Sequence, residues 1–197
     1  MKINKLFLSA ITVLCVACAD DYDLKSSVFV YDKENPGLPR YSEMGYNTFG
    51  SYYDRLPFIS GDETPVEVIV NETETLFSFK GKIGTSLPKD MALTITVNDL
   101  SPDTYTDLLS LHQMSIDLTD PTYTISIRDA EGLYNAEILN GTFKFERVQT
   151  LQVDKELFQV ILSGTFDFQA VINNEPVTVS NGRFDVGVGD HNFYNFE

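Results

Sequence analysis

Alternation of apolar and polar residues with a period of two dominates the central part of the chain. Each alternating run is rich in β-branched or aromatic residues and is bounded by Gly, Pro, Asn or Asp, as half-buried strands are. The four clearest runs are residues 66–70, 76–79, 93–97 and 123–127. In the third run the three apolar residues fall on one face and the two threonines fall on the other. The pattern predicts antiparallel strands and an all-β fold, either a sandwich or a partly closed barrel.

One short helix is predicted to interrupt these strands. Ser101, Pro102 and Asp103 supply a cap, a first-turn proline and a first-turn acid. Leucines at positions 108, 109 and 111 follow at helical spacing, and we expect the helix to end near His112. We interpret this helix as a packing element rather than as a site.

The C-terminal third contains a local repeat. Residues 138–145 (ILNGTFKF) recur as residues 161–168 (ILSGTFDF), and residues 181–186 (NGRFDV) form a looser third copy. The spacing of the copies is typical of a meander of long strands. We expect a turn at Asp154-Lys155 that places Phe143 opposite Phe166. We also expect Phe143, Phe145, Phe166 and Phe168 in the core, with Lys144 and Asp167 in water. The recurring glycine is expected at a bulge or bend, and Gly164 is expected to leave room beside Phe145.

The N-terminus has the pattern of a secretion signal. Lys2 and Lys5 precede an apolar run, residues 6–17, that is too short to span a bilayer. The run ends at a small residue followed by Cys18, which resembles the signal of bacterial lipoproteins. We therefore expect residues 1–17 to be a signal peptide and Cys18 to be acylated. Residues 18–45, which contain acids, Ser, Pro and Gly, are predicted to form an extended tether. A single β domain is predicted over residues 46–197.

The charge and the cysteine content exclude several function classes. The formal charge of the chain is −15, and it becomes −17 once Lys2 and Lys5 leave with the predicted signal. Such an acidic surface opposes nucleic-acid binding, which needs Lys and Arg against phosphates. Solubility at a crowded cell surface is the simpler interpretation of the charge, and calcium binding is the alternative, although no calcium-loop spacing is present. Since Cys15 and Cys18 are the two cysteines, the predicted mature protein has no thiol for catalysis or for zinc.

Two stretches resemble one known group of proteins. Residues 45–50 (GYNTFG), followed by residues 53–58 (YDRLPF), resemble the opening of small all-β surface lipoproteins of Bacteroidota. Residues 162–168 (LSGTFDF) and 181–186 (NGRFDV) resemble their closing strands. The resemblance implies an all-β lipoprotein domain without an established activity. It also implies that Asp20, Asp21 and Asp23 act as an export signal to the outer face of the outer membrane.

Candidate chemistry is sparse. No nucleophile elbow, zinc helix, phosphate loop or dinucleotide motif is present. His112, at the end of the predicted helix, and His191, in a polar tail, are not expected to be catalytic. Asp167 and Asp185 lie on the repeated strands, where a solvated strand face explains both carboxylates. An aromatic group near the first strand is a possible platform for sugar rings or part of the core; it comprises Tyr46, Tyr52, Tyr53 and Phe58.

The sequence favours a non-catalytic binding or scaffold module on the cell surface, anchored in the membrane by its lipid and serving glycan uptake or adhesion. Its expected partners are a glycan or a surface protein, with no nucleic acid, no cofactor and no metal. One alternative is a secreted glycoside hydrolase that uses two carboxylates. Another is a small barrel that carries an apolar ligand beneath the helix as a lid.

Overall fold

A computed structural model describes residues 25–61 and 64–196. These residues form twelve strands and one short 3₁₀ helix, which spans Tyr105–Leu111. The strands are β1 (Thr48–Tyr53), β2 (Leu56–Ser60), β3 (Val66–Asn71), β4 (Glu74–Ile83), β5 (Lys89–Asn98), β6 (Ser115–Asp117), β7 (Tyr123–Arg128), β8 (Leu133–Asn135), β9 (Glu137–Val153), β10 (Glu156–Ile172), β11 (Glu175–Val188) and β12 (Phe193–Asn195). The predicted all-β fold with one short helix is confirmed.

The strands make one bent antiparallel sheet that does not close. Its order is β6-β9-β10-β11-β1-β2-β4-β5-β7-β8. β2 and β3 both pair with the same edge of β4, at different positions along it. The other edge of β3 pairs in parallel with β12. The half that contains β9, β10 and β11 packs over the half that contains β4. The architecture is therefore a sandwich whose two layers are joined at β2 and β4.

Phenylalanine fills the space between the layers. Phe79 of β4 contacts rings from three strands of the opposite layer, and its ring centroid is 5.4 Å from that of Phe184. Phe143 and Phe184 stack at 5.0 Å. The nine phenylalanines that are fully buried are Phe49, Phe58, Phe77, Phe79, Phe143, Phe145, Phe166, Phe168 and Phe184. The interior of the sandwich is thus occupied by its own side chains.

The repeat folds as the long β9–β10 hairpin, in the predicted register. Asp154 and Lys155 both have positive φ, which a tight turn between twisted strands requires. Phe143 lies opposite Phe166. The four repeat phenylalanines are buried, whereas Lys144 is half-buried and Asp167 is exposed. The sequence pattern therefore predicted both the pairing and the inward face of these strands.

The repeated glycine lies at a bulge, as expected, but its neighbour differs from the prediction. Gly164 pairs with Phe145 while Ser163 pairs with Arg147, so the β9 strand carries one extra residue there. A Cβ atom at Gly164 would lie 2.5 Å from Cζ of Phe184 and 2.0 Å from the Lys144 carbonyl oxygen. The absent side chain therefore makes room for Phe184 of β11 rather than for Phe145.

The folded part begins earlier than the predicted Tyr46. Residues 27–47, which we call the strap, lie against the outer face of β1, β10 and β11. The strap runs out and returns on itself, since the Arg40 amide donates to the Val30 carbonyl and the Val28 amide donates to the Tyr46 carbonyl. Leu38, a residue of the strap, is fully buried. The strap lacks strand periodicity because it packs through a few side chains and through hydrogen bonds to the sheet.

The 3₁₀ helix begins three residues later than predicted. Thr104 is its N-cap, and the Thr104 amide donates to the Asp107 carboxylate at 2.9 Å. Ser101, the predicted cap, instead donates its hydroxyl to the β3–β4 turn, to the Glu72 carbonyl at 3.1 Å. Leu108 and Leu111 are buried, which agrees with a packing role. Within the residues that the structure describes, no helix is long and apolar enough to span a membrane.

Candidate functional site

A cleft with a volume of about 640 Å³ opens at one end of the sandwich. It lies where four connections meet: β1–β2, β4–β5, β7–β8 and β10–β11. The opposite end carries the β9–β10 turn and the C-terminal end of β11. The size of the cleft is typical of sites for small ligands or for a few residues of a peptide.

The walls of the cleft are mainly apolar. Its floor consists of inward-facing side chains near the strand ends, where the core stops: Ile83, Met91, Ile127, Ile172 and Val177. Two leucines complete the walls, one from the β4–β5 connection and one from the start of β2. Leu87 is 87% exposed and Leu56 is 50% exposed. Exposed leucines beside a concave apolar surface mark an interaction site more often than isolated ones do.

The rim of the cleft is acidic. Five charged side chains line it, and four of them are carboxylates: Lys89, Asp90, Asp129, Glu131 and Glu175. The Asp129 carboxylate also accepts the backbone N–H groups of Glu131 and Gly132, at 2.8 and 3.1 Å, which orders the β7–β8 turn. The negative potential at this rim favours cationic ligands and opposes anionic ones.

Two tyrosines add hydroxyl groups to the apolar walls. Burial, followed by the charges of Asp54 and Asp129, raises the pKa of Tyr53. Burial, with Asp129 and Glu131, also raises the pKa of Tyr134. Both hydroxyls therefore keep their protons in neutral solution and remain available as hydrogen-bond donors.

The predicted sugar platform is not assembled as one surface. Phe58 lies in the core, where its ring packs edge-on against Phe49 at 5.0 Å. The Tyr52 hydroxyl donates to the Pro36 carbonyl in the strap at 2.9 Å. Tyr46 is a strap residue whose backbone amide donates to Asp185. Tyr53 alone of these four aromatic residues lines the cleft, because neighbouring residues of β1 point to opposite faces.

Asp185 is buried rather than solvated, so the prediction for this residue is wrong. It lies on the outer face of β11 and is 2% exposed because the strap covers it. Its carboxylate accepts five hydrogen bonds, from the Ser42 and Ser163 hydroxyls and from three consecutive strap amides, those of Met44, Gly45 and Tyr46. Asp185 therefore fastens the strap to the sheet.

Asp167, the other carboxylate considered from the sequence, is exposed as expected. Its carboxylate accepts a hydrogen bond from the Thr142 hydroxyl at 3.4 Å, across the β9–β10 pair. Neither Asp167 nor Asp185 lines the cleft. The cleft carboxylates come instead from the β7–β8 turn and from the first residues of β5 and β11, where no alternation singled them out.

An ion pair holds the strap near its tip. Asp32 pairs with Arg183 of β11 and also accepts the Asn35 side-chain amide at 2.9 Å and the Glu34 backbone amide at 2.9 Å. These contacts, with the Asn35 hydrogen bond the largest, lower the pKa of Asp32 to about 2. The strap is thus anchored through Asp32 and Asp185, and also through the Glu43 carboxylate, which pairs with Arg147 of β9 at 3.2 Å.

Both histidines lie away from the cleft. The Nδ1 atom of His112 accepts the Val148 amide at 3.1 Å, which ties the helix end to β9. Burial, followed by the charge of Lys25, lowers the pKa of His191. Among residues 25–61 and 64–196, no group of three or more His, Cys, Asp or Glu side chains could hold a metal ion.

The predicted lipid site Cys18 and the predicted export residues Asp20, Asp21 and Asp23 lie outside the described residues.

No protein-family model matches the chain, and no curated protein or solved structure matches it either.

Proposed function

We propose that this protein is a lipid-anchored module of the bacterial cell surface that binds a ligand in the end cleft without transforming it. Acylation of Cys18 would hold it in the outer membrane. A role in glycan uptake or adhesion fits such a module. The proposal rests on the relation between the cleft and the point where the N-terminal chain leaves the domain.

The chain leaves the domain at the end opposite the cleft. Lys25 lies beside Phe158, near the β9–β10 turn, with its ammonium 5.7 Å from the ring centroid. The Ser27 hydroxyl donates to the Asn47 carbonyl, which fixes the start of the strap at the same end. The cleft turns lie at the other end of the long β10 strand. A lipid upstream of Lys25 would therefore leave the cleft facing away from the membrane.

The length of the linker supports this orientation. Six residues lie between Cys18 and Lys25, and the seven Cα-to-Cα steps that join these two residues span at most about 25 Å when fully extended. A linker of that length holds the β9–β10 end close to the bilayer. The cleft end, with its exposed Leu87, then faces the medium.

Cysteine labelling on intact cells tests the proposal. The described residues contain no cysteine, so a single introduced thiol reports its own position. Leu87→Cys places a thiol at the cleft, and Asp154→Cys places one in the exposed turn at the opposite end. We expect a bulky maleimide polymer to label Leu87→Cys rapidly and Asp154→Cys slowly on cells, with equal rates after detergent extraction. Equal or reversed rates on cells would contradict the orientation, and labelling only after permeabilisation would contradict surface display.

The anchor is tested separately. Cys18→Ala is expected to leave an uncleaved or unanchored precursor that no longer incorporates fatty acid. Deletion of Asp20, Asp21 and Asp23 is expected to keep the anchor but to reduce display on the outer face. Fatty-acid labelling of Cys18→Ala, or unchanged protease accessibility after the deletion, would contradict the respective assignment.

A further inference from the structure

The cleft adjoins an open strand edge. β8 is the last strand in the sheet order, and within the described part of the chain it pairs only with β7. The flanking hydrogen bonds, from the Asp129 amide to Gly132 and from the Ala136 amide to Ile125, set the alternation of the β7–β8 pair. In that alternation, the backbone N–H and C=O groups of Tyr134 point towards β7. Those of Leu133 and Asn135 point outward, away from the sheet.

The edge and the cleft share one residue. Tyr134 lies between Leu133 and Asn135 on β8, and its side chain lines the cleft. A strand added beside β8 would therefore point the residue next to Tyr134 into the cleft, because paired residues share a face. Leu133, 54% exposed, offers apolar surface on the other face. The acids Asp129 and Glu131 stand at one end of β8, on the rim.

From this arrangement we propose that the ligand of the cleft is an extended peptide segment of a partner protein. This inference rests on the binding function proposed above. The segment adds as a strand to the free edge of β8, inserts an aliphatic side chain into the cleft and carries Lys or Arg against the acidic rim. Main-chain hydrogen bonds to an open edge provide affinity in such complexes, and side-chain pockets provide specificity. Four carboxylates against one lysine select a basic peptide over an acidic one.

A titration with synthetic peptides tests this proposal. The protein is the mature chain from residue 18 with Cys18→Ser, which allows binding to be measured without detergent. The basic probe is the peptide acetyl-Lys-Leu-Thr-Leu-Thr-Leu-Lys-amide with a fluorophore. The acidic probe replaces both lysines by glutamate, and a third probe is the basic peptide methylated at alternate backbone nitrogens. Fluorescence anisotropy gives the dissociation constants.

We expect the basic peptide to bind at least about tenfold more tightly than the acidic one, with affinity that falls as salt is added. Methylation of the backbone is expected to weaken binding by about tenfold or more, since it removes main-chain donors. Equal affinity of the basic and acidic peptides, or absence of binding up to about 1 mM, would overturn the proposal. Equal affinity of the methylated and unmethylated peptides would overturn strand addition.

A pair of charge reversals locates the site. Glu131→Lys changes the rim, and Glu156→Lys makes the same change at an exposed position beside the turn at the opposite end. The rim variant is expected to weaken binding of the basic peptide by about fivefold or more, and the distant variant is expected to weaken it by less than about twofold. Equal effects would show nonspecific attraction and would overturn the assignment. These results are independent of the cell-labelling experiment, so failure here leaves the proposed surface display to be judged by its own test.

Discussion

The phenylalanine core and the end cleft are both lined by apolar side chains, but they differ in what lies opposite. In the core, rings from the two layers meet, as Phe79 meets Phe143, Phe166 and Phe184. In the cleft, the layers part, and residues such as Leu87 project from connections with no strand facing them. An apolar residue that has the other layer opposite it therefore stabilises the fold, and one that has no layer opposite it remains available to a ligand.

The core should respond most strongly to truncation. Phe166→Ala is expected to lower the free energy of unfolding by about 3–5 kcal/mol, because it removes a buried ring from a packed cluster. Leu87→Ala, the matched truncation in the cleft, is expected to change it by less than about 0.5 kcal/mol. Urea denaturation of both variants measures the difference. Similar losses would remove the distinction between a structural core and an open cleft.

The strap should depend on one carboxylate. Asp185→Ala is expected to lower the free energy of unfolding by about 2–4 kcal/mol, because it leaves partly buried strap amides and the buried Ser163 hydroxyl without their acceptor. Limited proteolysis should then cut within residues 27–47. Asp167→Ala, at an exposed position of the neighbouring strand, is the control and should leave stability and cleavage unchanged. An intact strap in the Asp185 variant would mean that its other contacts suffice.

Gly164 tests how tightly the core packs around Phe184. Gly164→Ala is expected to lower the free energy of unfolding by about 1–3 kcal/mol, since its Cβ would press on the Phe184 ring and on the Lys144 carbonyl. Gly61→Ala is the control, because no atom lies within 4 Å of the position of its Cβ. Thermal melting of the two variants provides the comparison. Equal melting temperatures would indicate that Phe184 moves freely aside.

The smallest predicted effect depends on pH. Because the pKa of Asp32 is lowered to about 2, its ionised form stabilises the folded state above the ordinary carboxyl pKa of 3.8. That contribution is lost as the pH falls from about 4 towards 2. Asp32→Asn should therefore be less stable than the parent at pH 5, with the difference shrinking towards pH 2. A constant difference across this range would contradict the lowered pKa of Asp32 and the contacts that cause it, above all the Asn35 hydrogen bond.

The strands and their inward faces could be predicted from the sequence because period-two alternation determines which side chains are buried. Phe143 and Phe166 show this most clearly, since the repeat gave their turn, their register and their burial. The bulge at Gly164 was also predictable from the recurring glycine. The contact between Gly164 and Phe184 was not predictable, because Phe184 lies on β11 and no local pattern specifies which ring packs against the glycine.

The strap and the cleft could not be predicted for a related reason. Ser42 and Asp185 are far apart in the chain, and a carboxylate that accepts several backbone amides has the same sequence pattern as a solvated one. The cleft is assembled from four separate connections, where turn residues follow no periodicity. Leu87, an apolar residue between Ser86 and Pro88, was the available signal, since exposed turns seldom need a leucine.

The contrast between core and cleft is tested most directly by methyl NMR of the Cys18→Ser chain during titration with the basic peptide. We predict that the methyl resonances of Leu56, Leu87 and Ile127 shift in a saturable manner. The methyl resonances of Leu38 in the strap and of Val186 in the core should stay in place. Shifts confined to the strap face, shifts spread evenly through the core, or no shift in the cleft methyls at saturation would contradict the assignment of the cleft as the binding site.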